Sequence, residues 1–321
     1  MISVVKPGLS TTVQDGGREG YYNVGIPPSG ALDGFSLIAA NLLVGNPPGA
    51  AGLECAYLGP ELRFDEDAVV AVCGAEMTPR VDGSERALWE AFRVPAGSSL
   101  SFAHLRGGAR AYVAVAGGID VPSLLGSRST YVLGGLGGFE GRPLAAGDVL
   151  PVGSASGPPT SVAVPEELRP TFGTELEIRV VMGLYDHLLT PEGRRTFLET
   201  EWTLTPTADR VGFRYKGEKL ELLDREQPFG AGSDPSNIVD APYPIGSIQV
   251  PGGVEPIVLH RDAVSGGGYA MIATVISSDM DAVAQSAPGA KTRFVPVDLE
   301  AALTARAERN RRLAKLQEAL S

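Results

Sequence analysis

Short apolar runs separated by turn residues cover most of this chain, and they predict β-strands. Their lengths and their spacing are typical of strands with one or both faces buried. The runs lie at 2–5, 61–64, 68–73, 111–116, 177–182, 246–250, 256–259 and 269–277. Turns are frequent as well, since the chain holds 41 glycines and 25 prolines. We therefore predict a mainly β fold of the β-rich α+β kind.

Apolar residues take helical spacing in only three segments, namely 32–44, 191–200 and 298–320. Asp33 lies near the start of the first helix and Asp298 opens the last, and aspartate is a preferred N-cap residue. The last segment also carries the chain's one cluster of basic side chains. We expect it to be a solvated or partner-facing terminal helix.

A segment rich in glycine, serine and proline, 151–170, is typical of a linker. It divides the chain into a predicted N-terminal half, 1–160, and a C-terminal half, 171–321, that includes the terminal helix. The stretches 111–120 and 268–279 share a tyrosine-led apolar strand, small residues and an aspartate. This likeness favours two duplicated β-barrel halves, and chance alignment is the alternative.

Net charge and hydropathy argue against nucleic-acid binding and against membrane association. The net charge is −11 and the pI is about 4.9, so an acidic surface would repel phosphate backbones. We expect no nucleic-acid partner. No apolar run approaches the length of a membrane span, and the N-terminus lacks the order of a signal peptide. We therefore expect a cytoplasmic protein without membrane association.

Several familiar catalytic motifs are absent from the chain. It contains no GxxxxGK[ST], GxSxG or HExxH, and the glycine cluster 134–141 does not have dinucleotide-binding spacing. The three histidines lie far apart, and Cys55 and Cys73 have no metal-site spacing. We predict no metal site and expect two buried free thiols, although spacing alone leaves a disulfide open.

The stretch 8–46 is unusually dense in glycine, proline and polar side chains, which is typical of a binding loop. Its candidate site residues are Asp15, Ser29, Asp33 and Asn41. Asp33 suits an N-cap as well as a site, and the two roles are compatible.

Another candidate segment is 126–131, which holds Arg128 and Tyr131 among hydroxyl side chains. The Arg128 guanidinium either binds a carboxylate or phosphate with two hydrogen bonds or forms a structural salt bridge. The C-terminal half adds Arg210 within 209–212. In the long run 229–269 the candidates are Asn237, Tyr243, Gln249, Asp262 and Tyr269. A triple glycine there indicates close approach of a ligand or a plain hairpin.

Taken in order, these segments resemble the biotin-dependent carboxyltransferase family, which includes allophanate hydrolase subunit 2, the C subunit of 5-oxoprolinase and part of urea amidolyase. The matching motifs are SGALD with AANLLVGN, then AGGIDVP, LGSRSTY, DRVGFR, GSIQVP and GGYAMIATV. The resemblance implies two cyclophilin-like β-barrel halves with a cleft between them.

The same resemblance implies one subunit of a two-component, ATP-linked enzyme that processes 5-oxoproline or allophanate. ATP is expected at the level of the complex, and the partner would resemble allophanate hydrolase subunit 1 or the B subunit of 5-oxoprolinase. Asp33, Asp262 or Asp15 would act as a base or position water. Arg128 or Arg210 would hold a carboxylate, and glycine-loop amides would stabilise an oxyanion.

Two segments depart from the pattern of the stand-alone subunit and leave alternatives open. Where that subunit usually has DRQTTGGYP, this chain has DAVSGGGYA at 262–270, and DPSN at 234–237 resembles the HPSN of urea carboxylase. One alternative is therefore carboxyl transfer from carboxybiotin to a urea-like acceptor. Biotin would be involved only in that case, on a carrier outside this chain. Another alternative is a non-catalytic regulatory module that binds a partner.

Overall fold

The structure, a computed structural model, describes residues 1–321. It contains twenty β-strands and four α-helices, which confirms the predicted mainly β fold. All eight predicted strand segments and all three predicted helices overlap observed elements.

The chain divides into two compact units, each built from separate stretches of sequence. The first unit comprises Met1–Arg18, Ser29–Phe172 and Asn310–Ser321, and the second comprises Glu19–Pro28 and Gly173–Arg309. The sequence predicted two continuous halves instead. Side-chain packing explains the difference, since residues at the end of the chain enter a core of the first unit and Tyr22 bonds within the second.

The first unit holds eleven strands and one helix, α1 (Gly34–Leu43). The strands are β1 (Ile2–Lys6), β2 (Ser10–Gln14), β3 (Gly52–Ala56), β4 (Glu61–Phe64), β5 (Ala68–Gly74), β6 (Pro79–Val81), β7 (Ser84–Glu85), β8 (Ala91–Val94), β9 (Ser99–Phe102), β10 (Arg110–Val115) and β11 (Val149–Leu150). They form a six-stranded sheet in the order β11-β1-β4-β9-β6-β7 and a five-stranded sheet in the order β2-β3-β10-β5-β8. Residues of both sheets pack into one apolar core.

Alternation along the strands decides what each face of the five-stranded sheet buries. On β10, Val113 and Val115 enter the core shared with the six-stranded sheet, whereas Ala114 faces the opposite way. Ala114 and Ala71 are small, so α1 can lie close to this second face, where Phe35 packs with them. A central strand buried on both faces is apolar along its length, as β10 is after Arg110.

The second unit holds nine strands and three helices, α2 (Pro191–Glu199), α3 (Met280–Ala284) and α4 (Leu299–Ala319), of which α4 ends within the first unit. Its strands are β12 (Glu175–Met182), β13 (Trp202–Ala208), β14 (Gly212–Lys216), β15 (Asn237–Pro242), β16 (Ser247–Gln249), β17 (Ile257–Leu259), β18 (Gly266–Tyr269), β19 (Met271–Val275) and β20 (Lys291–Pro296).

Seven of these strands close a barrel in the order β12-β19-β16-β17-β14-β13-β20, while β15 and β18 form a separate two-stranded sheet. An aromatic cluster fills one part of the barrel interior: Phe197 of α2 stacks on Phe294 at 5.0 Å between ring centroids, and Tyr215 meets Phe294 edge-on at 5.6 Å. Trp202 donates from Nε1 to the Phe197 carbonyl at 2.9 Å. These contacts pack aromatic side chains together in one part of the second unit.

Candidate functional site

Asp15 lies at the centre of a hydrogen-bond network in the first unit. Its carboxylate accepts from the hydroxyls of Ser127 at 2.6 Å and Ser129 at 2.5 Å, and from the amides of Arg128 at 2.5 Å and Gly17 at 2.8 Å. Four donors occupy the oxygen lone pairs of one carboxylate. The geometry fits an anchor that ties two loops together, and the catalytic role of Asp15 stays a prediction.

The glycine cluster after this segment is explained by close packing. Gly137 and Gly138 have φ values of 64° and 55°, and a Cβ on either would collide with Ser129 or Thr130. Arg18, which is 1% exposed, donates from Nη2 to the Ser129 carbonyl at 2.8 Å beside Gly137. The glycines therefore admit neighbouring backbone, and no helix follows them to complete a phosphate-binding loop.

Asp33 is the N-cap of α1, as its position in the sequence indicates. Its Oδ1 accepts from the Ser36 amide at 3.0 Å, its Oδ2 accepts from the Ser36 hydroxyl at 2.6 Å, and the residue is 2% exposed. The backbone amide of Asp33 donates to the Tyr112 hydroxyl at 2.8 Å. The capping role is thus present, and the catalytic role stays a prediction.

Sequence reasoning missed the buried Glu54, which lies next to this cap. Its Oε2 accepts from the Leu32 amide at 2.9 Å and from the Tyr112 hydroxyl at 2.8 Å. Arg110 lies on its other side, with Nε 3.9 Å from Oε1. A glutamate at the centre of the apolar strand GLECA was the signal that could have identified it.

The other predicted residues of the first unit have varied surroundings. Arg128 pairs with Asp120 at 2.8 Å, with side chains 42% and 53% exposed, and its Nε donates to the Val121 carbonyl at 2.7 Å.

Asn41 is buried and donates a hydrogen bond to the Ala50 carbonyl at 2.8 Å, which is a structural contact. Ser29 is buried with φ of 52°. Tyr131 is half-buried and bridges to Leu136.

In the second unit, the two predicted residues Arg210 and Asp262 bind each other. The guanidinium donates from Nε to Oδ2 at 2.8 Å and from Nη2 to Oδ1 at 3.1 Å. Their side chains are 12% and 4% exposed. The carboxylate held by Arg210 is therefore that of Asp262, and the pair fixes the start of the loop that leads to β18.

Hydrogen bonds join three tyrosines next to this pair, namely Tyr22, Tyr243 and Tyr269. The Tyr243 hydroxyl donates to the Tyr269 carbonyl and accepts from the Tyr269 amide, both at 2.7 Å. Tyr22, which lies in the polar stretch 8–46, donates to the carbonyls of Tyr243 at 2.9 Å and Val264 at 3.3 Å. Burial raises the pKa of Tyr243, while its hydrogen bonds to Tyr269 and Gln249 lower that pKa.

Asn237 pairs with Tyr269 across the β15–β18 ladder, and its carbonyl accepts from Arg225 at 2.6 Å. The second unit thus brings Arg210, Asp262, Tyr243 and Tyr269 into neighbouring loops and strands, together with Asn237 and Gln249. In the first unit, Asp15 and Arg128 share one network. We take the Arg210–Asp262 region as the candidate site of the second unit.

Three further features concern metal-ligating side chains, the two thiols and the apolar character of the helices. No group of three or more histidine, cysteine, aspartate or glutamate side chains lies together in a way that could hold a metal ion. Cys55 and Cys73 are both buried free thiols. None of the helices combines the length and apolar character needed to cross a bilayer.

A closed β-barrel in one unit and two sheets in the other, with buried polar clusters in glycine-rich loops, define a mainly β two-unit protein. Residues 24–296 match the family described as "Carboxyltransferase domain, subdomain A and B". The chain belongs to this carboxyltransferase family, which confirms the resemblance found in the sequence.

Similar proteins fall into two groups. The chain is 37% identical to the C subunit of 5-oxoprolinase from Escherichia coli strain K12 over 313 residues, which is 97% of this chain and 96% of that one. It is 34% identical to urea amidolyase of Saccharomyces cerevisiae, covering 93% of this chain but 17% of the relative. The crystal structure of Kluyveromyces lactis urea carboxylase matches with a TM-score of 0.92 at 33% identity, over 99% of this chain and 29% of that chain. The chain spans less than a third of the length of urea amidolyase and of urea carboxylase.

Proposed function

We propose that this chain is the carboxyltransferase-family subunit of a two-component, ATP-dependent amidohydrolase acting on a small amide, either 5-oxoproline or allophanate. One observation carries the proposal: the 37% identity to the C subunit of 5-oxoprolinase extends over 97% of this chain and 96% of the relative. The relative's name describes it as one part of a multi-subunit enzyme. The proposal therefore includes a second protein, similar to the B subunit of 5-oxoprolinase or to allophanate hydrolase subunit 1.

In this proposal, Asp262 is the group that positions the attacking water or accepts its proton. The two hydrogen bonds from Arg210 restrict the carboxylate to one orientation, which is what a positioned base requires. Each of its oxygens retains a second lone pair for a water or an amide N–H. Tyr22 steadies the loop that follows, through the Val264 carbonyl.

Arg128 is the proposed binder of the substrate carboxylate. Its partner Asp120 is 53% exposed, and exposed pairs contribute little stability, so a substrate carboxylate can replace it at small cost. Arg210 is less suited to this role because its ion pair is buried and two of its donors are committed to Asp262.

ATP belongs to the proposal at the level of the complex, and we assign no residue of this chain to it. A phosphate-binding loop needs backbone amides at the start of a helix, usually with a lysine. The glycine cluster at 134–141 leads into no helix, and packing fills the space beside Gly137 and Gly138. The partner subunit is therefore the proposed site of ATP binding.

The test is reconstitution. The purified chain is mixed with its partner subunit, ATP and either 5-oxoproline or allophanate, and release of product and of phosphate is followed. We expect turnover on one of the two substrates that depends on ATP and both proteins. An intact complex that turns over neither substrate contradicts the proposal. Asp262→Asn in the same complex should lower kcat by about a hundredfold or more.

The second candidate function is carboxyl transfer to a urea-like acceptor. It is supported by the TM-score of 0.92 to Kluyveromyces lactis urea carboxylase and by the segment DPSN at 234–237. Isotope exchange between carboxybiotin and urea, with added carrier protein, tests it. A complex that forms but neither hydrolyses amides nor exchanges label would favour the non-catalytic regulatory module.

A further inference from the structure

The turn that leads into α1 is held by an unbroken series of hydrogen bonds from its own backbone. Four consecutive amides, those of residues 30–33, all have partners in the first unit. Gly30 donates to Gln14 Oε1 at 3.1 Å, Ala31 to the Asp15 carbonyl at 3.0 Å, Leu32 to Glu54 Oε2 at 2.9 Å and Asp33 to Tyr112 Oη at 2.8 Å. The last two bonds end on the same glutamate, directly or through Tyr112.

The direction of the Tyr112 hydrogen bonds follows from its two partners. An amide can only donate, so the hydroxyl accepts from Asp33 and donates its proton to Glu54 Oε2 at 2.8 Å. Burial, and then the charges of Glu54 and Asp33, raise the pKa of Tyr112 well above its usual range. The hydroxyl therefore keeps its proton. It continues to donate to Glu54 and to accept from the Asp33 amide.

Burying the charged side chain of Glu54 at this place in the fold costs free energy. It is 3% exposed on a strand whose other side chains are buried or half-buried, and a buried carboxylate is tolerated only when it is paired and hydrogen-bonded. Arg110, 2% exposed, supplies the opposite charge 3.9 Å away. The carboxylate uses its Oε2 to bind the two groups that fix Leu32 and Asp33.

We infer that Glu54, acting through Tyr112 and the Leu32 amide, is a positioning residue for Asp33. The two hydrogen bonds fix the peptides that precede Leu32 and Asp33, and the Asp33 backbone is extended at φ −101° and ψ 92°. That conformation aims the carboxylate at Ser36 and the first turn of α1. The inference rests on the proposed function and adds one group to it, since it requires that the predicted site residue Asp33 takes part in the reaction as well as Asp262.

The decisive variant is Tyr112→Phe, because it removes one hydroxyl and leaves the charge pair of Glu54 and Arg110 in place. Tyr57→Phe is the matched control in the same unit, since the Tyr57 hydroxyl is buried without a hydrogen-bond partner. Hydrogen–deuterium exchange of the peptide spanning 29–36 is measured first, on the whole chain. We expect at least about tenfold faster exchange in Tyr112→Phe and no change in Tyr57→Phe.

Steady-state kinetics in the reconstituted complex come second. A displaced Asp33 lowers kcat, and we expect a loss of about tenfold to a hundredfold in Tyr112→Phe with KM within about twofold. For Glu54, the conservative Glu54→Gln retains one acceptor oxygen and should keep more kcat than Glu54→Leu, which retains none.

The outcomes separate the two proposals. Exchange at 29–36 that is unchanged in Tyr112→Phe overturns the positioning role, whatever the activity. So does a higher KM at unchanged kcat, because the network would then act on substrate binding. A wild-type complex without turnover contradicts the proposed function instead, and the exchange measurement still decides whether Glu54 and Tyr112 hold the turn.

Discussion

Arg210 and Asp262 form a two-bond ion pair, with Nε to Oδ2 at 2.8 Å and Nη2 to Oδ1 at 3.1 Å, and both side chains are largely buried. The sequence named both residues as candidates for separate tasks. The structure makes them one unit, in which each is the other's neutralising partner. Removing either one leaves the other as an unpaired buried charge.

Arg210→Met should lower the free energy of unfolding by about 3–5 kcal/mol, because Asp262 then stays buried and unpaired. The double variant Arg210→Met with Asp262→Leu should recover much of that loss. Urea unfolding at pH 7 measures both. Arg214→Ala is the control, since its pair with Glu255 is 42% and 33% exposed and should change stability by under about 1 kcal/mol. A loss that small in Arg210→Met would contradict the prediction.

Arg128→Ala should raise KM for an anionic amide substrate by about tenfold, which corresponds to about 1.4 kcal/mol of binding free energy. The kcat should stay within about twofold, because the residue is proposed to bind and not to react. Initial-rate kinetics in the reconstituted complex check this. Arg80→Ala, which breaks an exposed pair with Glu85 in the same unit, should leave KM unchanged. An unaltered KM in Arg128→Ala would remove it from the binding site.

Tyr22→Phe should destabilise the protein by about 1 kcal/mol, the usual worth of one hydrogen bond. Its hydroxyl joins the carbonyls of Tyr243 and Val264, so its loss should also loosen the loop after Asp262 and raise KM. Thermal unfolding and kinetics measure the two effects. Tyr21→Phe is the control, since it removes the hydroxyl of the neighbouring ring and leaves both bonds of Tyr22 in place. Identical behaviour of the two variants would show that the Tyr22 hydroxyl is not used.

The buried thiol of Cys55 should make stability depend on pH in the alkaline range. Burial is the main cause that raises its pKa from 9.0 to about 12. The folded state therefore retains a proton that the unfolded state loses, so this contribution is full below pH 9 and disappears as pH rises from 9 to 12. Its slope is about 1 kcal/mol per pH unit.

Urea unfolding of the wild type and Cys55→Ala between pH 7 and about pH 11 checks this slope. Because the alanine leaves a cavity, the comparison is between slopes and not absolute stabilities. Stability of Cys55→Ala should fall less steeply above pH 9 than that of the wild type. Parallel curves would mean that the thiol titrates alike in both states.

Gly138→Ala should destabilise the first unit by more than about 3 kcal/mol, since left-handed backbone strain adds to overpacking. Its φ is 55°, and the added Cβ would overlap the Thr130 side chain. Gly135 is a matched control because it has a similar φ of 61° and open space around its Cβ position. Gly135→Ala should cost only the backbone term, about 1 kcal/mol. Equal losses in the two variants would show that packing against Thr130 is unimportant.

Local sequence patterns predicted the elements well, because they depend on neighbouring residues. The apolar runs at 111–116 and 68–73 correspond to β10 and β5, and Asp33 at a helix start became the observed N-cap. The triple glycine, by contrast, lies in β18 and pairs with β15, a partner distant in sequence. A run of glycines has no apolar period to reveal such pairing.

Strand periodicity, helix caps and ordered motifs are local properties of the chain, so the mainly β composition, the helix ends and the family follow from the amino acids alone. Which candidate residues share a task depends on the folded chain. It paired Arg210 with Asp262, surrounded Asp15 with donors and revealed Glu54 behind Asp33. Hydrogen bonds and ion pairs join residues that are far apart in sequence, such as Ser129 and Asp15, which are 114 positions apart, and only the folded chain brings them within reach.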